Sequence, residues 1–103
     1  MTSVEIEEII IAELKGNYKL SNVYGLNLNK CLITPLKQTY LSSVDENCSF
    51  ELWTVLEETE DGQGYKITYD EDDSAFGLGM MSKENELIDI GTYGSFIDAL
   101  KGM

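Results

Sequence analysis

The second half of the chain alternates short apolar stretches with polar turns, and this pattern restricts the fold more than any other feature. Strand-like stretches occupy residues 49–57, 65–69, 75–81 and 86–91. Turns of hairpin length separate them, which favours antiparallel pairing of neighbouring strands. The stretch 49–57 (SFELWTVLE) is apolar on both faces, and this is typical of a central strand.

Helical periodicity marks both ends of the chain. Residues 2–16 carry isoleucine and leucine at helical spacing, with glutamates mostly on the other side. Thr2 and Glu5 fit a capping box. Residues 95–103 predict a short closing helix that begins after Ser95.

These elements predict a single α+β domain over residues 1–103. We expect an antiparallel sheet of about four to six strands, with an N-terminal helix and a short C-terminal helix packed on one face. Residues 17–30 show no clear period and predict a loop, while residues 31–41 look extended but contain Pro35, which favours an edge strand or a bend. The predicted core comprises Phe50, Leu52, Leu56, Ile67, Phe76, Leu78 and Ile90, facing Ile6, Ile10, Leu14, Phe96 and Leu100.

Charge is the unusual property of the composition. Nineteen acids oppose seven lysines over 103 residues, the formal net charge is −12, and there is neither arginine nor histidine. A surface of this sign repels phosphate backbones and anionic lipids, so we expect no nucleic-acid partner and no membrane partner. A basic protein surface is the complementary partner, although acidity that serves only solubility remains an alternative.

The missing residue types argue against most enzyme classes. Without histidine there is no imidazole for a triad or a zinc site, and without arginine there is no bidentate clamp for a substrate anion. The run Asp70–Asp73 lacks calcium-loop spacing, because its sixth position is Ala75 and its twelfth is Met81. We therefore expect no catalytic residue, no metal and no cofactor. Cys31 and Cys48 are interpreted as two part-buried thiols.

The N-terminal segment bears on the cellular compartment of the protein. It has acids where a signal peptide carries positive charge, and no stretch approaches about 20 apolar residues. The cytoplasm is the expected compartment.

Two acidic clusters are the candidate protein-binding residues. If residues 53–69 form a hairpin, the clusters fall at opposite ends of the strand 65–69. The candidates are Glu57, Glu58, Glu60 and Asp61 in the first cluster, and Asp70, Glu71, Asp72 and Asp73 in the second. Wet, acidic hairpin turns without a binding role are the alternative interpretation of each cluster.

The stretches FELWTVLEE, GQGYKITYDEDDSAFGLGM and IGTYGSFIDALKGM carry a family resemblance. Over residues 48–103 the chain resembles small acidic bacterial immunity proteins of polymorphic or contact-dependent toxin systems. The resemblance implies a non-catalytic cytoplasmic inhibitor that covers the active site of a cognate toxin, or a surface beside it. A toxin with a basic cleft, such as a nuclease, suits an acidic inhibitor.

Two other functions stay open at this stage. One is an acidic regulatory or adaptor module that binds a housekeeping protein. The other is an enzyme whose carboxylates and tyrosines act on a small polar substrate, which a concave apolar pocket with convergent acids would favour. The oligomeric state is left open.

Overall fold

The computed structural model describes residues 1–17, 25–45 and 47–103. Its elements are α1 (Ser3–Leu14), α2 (Leu28–Cys31), β1 (Leu32–Ser42), β2 (Ser49–Glu57), β3 (Tyr65–Asp70), β4 (Ala75–Met81), β5 (Leu87–Gly94) and α3 (Phe96–Gly102). The α+β class, the five strands and the two terminal helices confirm the prediction. Across the described residues, no helix is long and apolar enough to cross a membrane.

The five strands form a closed barrel in the order β1-β2-β3-β4-β5. Each sequential pair is antiparallel, as predicted, and β2 lies between β1 and β3. The barrel closes through a parallel seam of two pairs, Leu41–Ile88 and Ser42–Asp89. The sheet expected to be antiparallel is therefore mixed at this one seam and closed into a small barrel. An odd number of antiparallel strands makes the first and the last run in the same direction, so their pairing must be parallel.

Both terminal helices begin where local capping predicts. The Thr2 hydroxyl accepts the Glu5 amide, and the Glu5 carboxylate accepts the Thr2 amide, so the capping box of α1 is complete. At α3 the Ser95 hydroxyl accepts the Asp98 amide. The Glu13 carboxylate of α1 accepts the Phe96 and Ile97 amides at the start of α3, and these two bonds fix one helix to the other.

The apolar core lies between the outer face of the barrel and the helices. The predicted members Leu56, Ile67, Phe76 and Leu78 are all buried there. Predicted helix residues that join them are Ile6, Ile10, Leu14, Phe96 and Leu100. The Phe76 ring packs edge-on against Phe96 with centroids 5.6 Å apart, so β4 and α3 share an aromatic contact.

Three residues of the predicted core lie elsewhere. Phe50 is 42% exposed and Ile90 is 36% exposed, and Leu52 is buried but points into the barrel, away from the helix-facing core. For Phe50 and Leu52, the cause is an irregularity in the β2–β3 pairing between Thr54 and Leu56. A bulge shifts the alternation by one residue, so Leu56 does not share a face with Phe50 and Leu52.

Several local predictions also need correction. Within the stretch 17–30, read as a loop, Leu28–Cys31 form a helical turn, while residues 18–24 lie outside the described residues. Cys31 is half-buried as predicted, but Cys48 is exposed, and both thiols are free. Pro35 lies in β1 where the pairing with β2 is irregular, between Leu32 and Leu36.

Candidate functional site

The two predicted acidic clusters lie at opposite ends of the barrel. We call the turn Glu58–Gly64 between β2 and β3 the Glu60 end, and the turn Glu71–Ser74 between β3 and β4 the Asp70 end. Trp53 pairs with Tyr69, so the predicted hairpin is present. The six residues of β3 separate the ends by about 17 Å. The clusters are therefore two separate surfaces.

At the Glu60 end, three of the four predicted acids are held by groups of this chain. Glu57 lies 3.7 Å from the ammonium of Lys66, whose side chain is 3% exposed. The Glu58 carboxylate accepts the Tyr65 amide. Asp61 accepts the Thr59 hydroxyl at 2.6 Å and a turn amide, and these bonds lower the pKa of its carboxyl. Glu60 is exposed beside them.

At the Asp70 end, the carboxylate of Glu71 is occupied by contacts within this chain. Its carboxylate accepts Lys37 at 2.8 Å and the Trp53 indole N–H at 3.4 Å, and it lies 3.5 Å from the N-terminal amine. The bond from Lys37 is the main cause that lowers the pKa of Glu71. This acid is turned to the helix side of the barrel, away from the other members of its cluster.

The other three acids at that end either stabilise the turn or lie exposed on it. Asp70 accepts the amides of Asp72 and Asp73 at 3.0 and 3.4 Å, which shapes the turn. The side chains of Asp72 and Asp73 are exposed. Of the eight predicted residues, the structure thus leaves Glu60, Asp72 and Asp73 most available to a partner.

A cavity of about 130 Å³ opens into the barrel at the Asp70 end, and we call it the mouth cavity. The residues that define it are Phe50, Leu52, Thr68, Asp70, Asp73 and Asp89. Gly77, the partner of Thr68 across the β3–β4 pair, also lines it. A Cβ at Gly77 would collide with the Gly91 carbonyl oxygen, so this position admits only glycine without a backbone shift.

Asp89 is a candidate site residue that the sequence pattern does not indicate. It is half-buried in β5 at the parallel seam, and its carboxylate accepts the Gly91 amide at 3.3 Å. Burial raises the pKa of Asp89, and the nearby negative charge of Asp70 raises it further. Within the described part of the chain, none of the three acids in the cavity, Asp70, Asp73 and Asp89, forms an ion pair with a cation.

Below the cavity, a buried hydrogen-bond chain holds the barrel interior. The Thr54 hydroxyl donates to Gln38 at 2.6 Å, so the Tyr40 hydroxyl, 2.5 Å away, donates to Thr54. Tyr40 is fully buried, and burial raises its pKa to about 12. The phenol therefore stays neutral at ordinary pH and provides a fixed floor beneath the mouth.

The dimensions of the cavity favour insertion of a side chain. Sites for small-molecule substrates usually measure about 300–1,000 Å³, and 130 Å³ is well below that range. In the described ranges, no group of three or more Asp, Glu, Cys or His residues is arranged to hold a metal ion. The cavity is a small recess lined by three carboxylates.

Compared with known protein families, with curated proteins and with solved structures, the chain gives no match. The case for function therefore rests on the site itself.

Proposed function

We propose that this chain is a non-catalytic inhibitor that binds a basic protein, and that it acts as a cytoplasmic immunity protein against a cognate bacterial toxin. The observation that carries the proposal is the mouth cavity, where Asp70, Asp73 and Asp89 converge without an internal cation among the described residues. A basic surface would supply the missing charge, and a nuclease with a basic cleft is a toxin of that chemistry.

The charge of the whole protein supports the same partner class. Among the described residues only Glu57 and Glu71 pair with a cation, although the formal net charge is −12. The remaining acids therefore produce a negative field around the molecule. Such a field raises encounter rates with a basic partner by about 10- to 1,000-fold at low salt. An acidic adaptor that binds a housekeeping protein is the alternative, and it differs in what the partner does.

Capture from the source organism tests the class of partner. The protein is immobilised, cell extract is passed over it, and bound proteins are identified by mass spectrometry. We expect a basic protein that stops growth when expressed alone and is tolerated when this chain is co-expressed. A partner that is harmless alone would instead support the adaptor function and contradict the immunity proposal.

Two matched triple variants then locate the binding end. The mouth set is Asp72→Asn, Asp73→Asn and Asp89→Asn, and the control set is Glu58→Gln, Glu60→Gln and Asp61→Asn. Each set removes three negative charges, and the amides keep the acceptor oxygens that Glu58, Asp61 and Asp89 use internally.

Association and dissociation rates with the captured partner separate steering from contact. We expect both sets to slow association at low salt, and the effect to fade near about 0.5 M salt, where screening lengths drop to a few ångströms. Only the mouth set should speed dissociation, because it removes charges that contact the partner. If both sets leave the rates and their salt dependence unchanged, the acidity serves solubility and the proposed interface is wrong.

A further inference from the structure

We propose that the mouth cavity is a guanidinium site that receives one arginine side chain of the partner. The inference rests on the proposed function in one respect, namely that the arginine belongs to a basic protein. It starts from the chemistry of the lining residues: three carboxylates, an aromatic ring and a buried hydroxyl group.

The buried hydroxyl is the observation independent of the acids. Thr68 is 2% exposed and lines the cavity, yet its hydroxyl has no hydrogen-bond partner among the described residues. A buried polar group without a partner is costly, so its persistence indicates a ligand that supplies the bond. By contrast, the hydroxyl of Thr54, which pairs with Thr68 across β2 and β3, is hydrogen-bonded to both Tyr40 and Gln38.

The arrangement of the carboxylates favours a cation that has several hydrogen-bond donors. Asp70 and Asp73 reach the cavity from the β3–β4 turn, while Asp89 reaches it from β5. Asp89 is held in a half-buried position where burial disfavours its charge, and a cation in the cavity would stabilise the charged form. Guanidinium has five N–H donors in a planar fork, enough for two carboxylates and the Thr68 hydroxyl together.

The shape of the cavity selects guanidinium over ammonium. A cavity of 150 Å³ holds benzene in another protein, so about 130 Å³ accommodates the four heavy atoms of a guanidinium group. Phe50 borders the cavity and is 42% exposed, which leaves its ring accessible for stacking. Guanidinium stacks on aromatic faces, whereas ammonium is a compact and strongly hydrated charge.

A titration followed by amide NMR tests the site without any partner protein. The probe is N-acetyl-arginine amide, and the control is N-acetyl-citrulline amide, in which a neutral urea replaces the guanidinium. We expect saturable shifts for the arginine probe at residues 50–52, 68–75 and 89–92, and none for citrulline. N-acetyl-lysine amide should bind more weakly, and so should free arginine, whose own carboxylate the acids repel.

Single substitutions assign the binding to the named groups. Asp89→Asn should weaken binding of the arginine probe by at least about tenfold, while Asp98→Asn, an equal charge change at an exposed position of α3, should leave it nearly unchanged. Thr68→Val should weaken it by about two- to tenfold. Phe50→Leu should reduce the preference for arginine over lysine. The dispersion of the unliganded spectra reports that each variant is folded.

The outcomes separate this inference from the proposed function. No saturable shift with the arginine probe, equal binding of citrulline, or equal effects of Asp89→Asn and Asp98→Asn would overturn the guanidinium site. The immunity function could still stand in that case, through another surface, if toxicity is relieved on co-expression. Conversely, arginine binding in the cavity together with a harmless captured partner would retain the site and reject the immunity function.

Discussion

The packing of Tyr40 over Gly79 leads to a quantitative prediction for the substitution Gly79→Ala. A Cβ at position 79 would lie 2.5 Å from Cε2 of Tyr40 and 3.1 Å from the Ile88 carbonyl oxygen. Carbon atoms pack best at about 3.5–4.0 Å, so the ring would have to move by about 1 Å. It is fully buried, and its hydroxyl is bonded to Thr54, so it has nowhere to move without breaking that bond.

The cost can be estimated from these contacts. Overpacking a well-filled interior costs about 1–3 kcal/mol, and loss of the Tyr40–Thr54 bond adds about 0.5–1.5 kcal/mol. Replacing glycine by alanine also restricts the unfolded chain, which returns about 0.4–1 kcal/mol. We therefore expect Gly79→Ala to lower the free energy of unfolding by roughly 0.5–4 kcal/mol, measured by urea denaturation followed by circular dichroism.

Gly91→Ala in the neighbouring strand is the matched control. The nearest atom to its added Cβ is Cε2 of Tyr93 at 3.7 Å, an ordinary contact, so we expect a neutral or slightly stabilising change. In a Tyr40→Leu background, which shortens the opposing side chain, Gly79→Ala should lose most of its cost. Equal stabilities of Gly79→Ala and Gly91→Ala, or no coupling to Tyr40→Leu, would refute the proposed contact.

Four further substitutions test the electrostatics and the core. Because the pKa of Asp89 is raised in the folded state, stability from this group is greatest below its usual pKa of 3.8 and is lost as pH rises through the raised value. Asp89→Asn should therefore stabilise the protein at pH 7 and lose that advantage near pH 3. Thermal melts of the variant and the parent protein at both pH values measure this, and a difference in midpoint that is the same at both would contradict the raised pKa of Asp89. Leu78→Ala should lower the free energy of unfolding by about 2–5 kcal/mol, and Leu52→Ala, beside the mouth cavity, should lie at the lower end of that range. Phe50→Ala, at an exposed position, should lower it by less than about 1 kcal/mol. Urea denaturation measures all three.

Features set by neighbours in the chain were predictable from the sequence. The capping box of Thr2 and Glu5 needs only residues three apart, and the hairpin of residues 53–69 needs only a turn between two alternating stretches. Both follow from local hydrogen bonding and side-chain alternation. The helix-facing residues Ile67 and Phe76 follow from the same alternation within their strands.

The face assignments failed where alternation breaks. One bulge in β2 separates Leu56 from Phe50, and no composition signal marks it, because it arises from pairing with β3. Phe50 was consequently assigned to the core, although it borders the mouth cavity.

The candidate site was only half visible from the sequence, for a similar reason. The run 70–73 is conspicuous, whereas Asp89 is a lone acid inside an apolar stretch. It lines the same cavity as Asp70 in the folded barrel, whose seam consists of two residue pairs 47 positions apart in the chain. Long-range pairing of this kind has no local sequence signal.

The parallel seam has a consequence for the order of folding. Four antiparallel pairs can form in sequence along the chain, each closing a short loop, whereas Leu41 must find Ile88 across most of the barrel. We expect the seam to close last and to open first, as a local fluctuation that leaves the hairpins intact. Since Asp89 belongs to the seam, each such opening would disassemble the recess for arginine. A bound arginine would then act as a latch, slowing amide exchange at Ser42 and Asp89 without changing it in the β3–β4 hairpin.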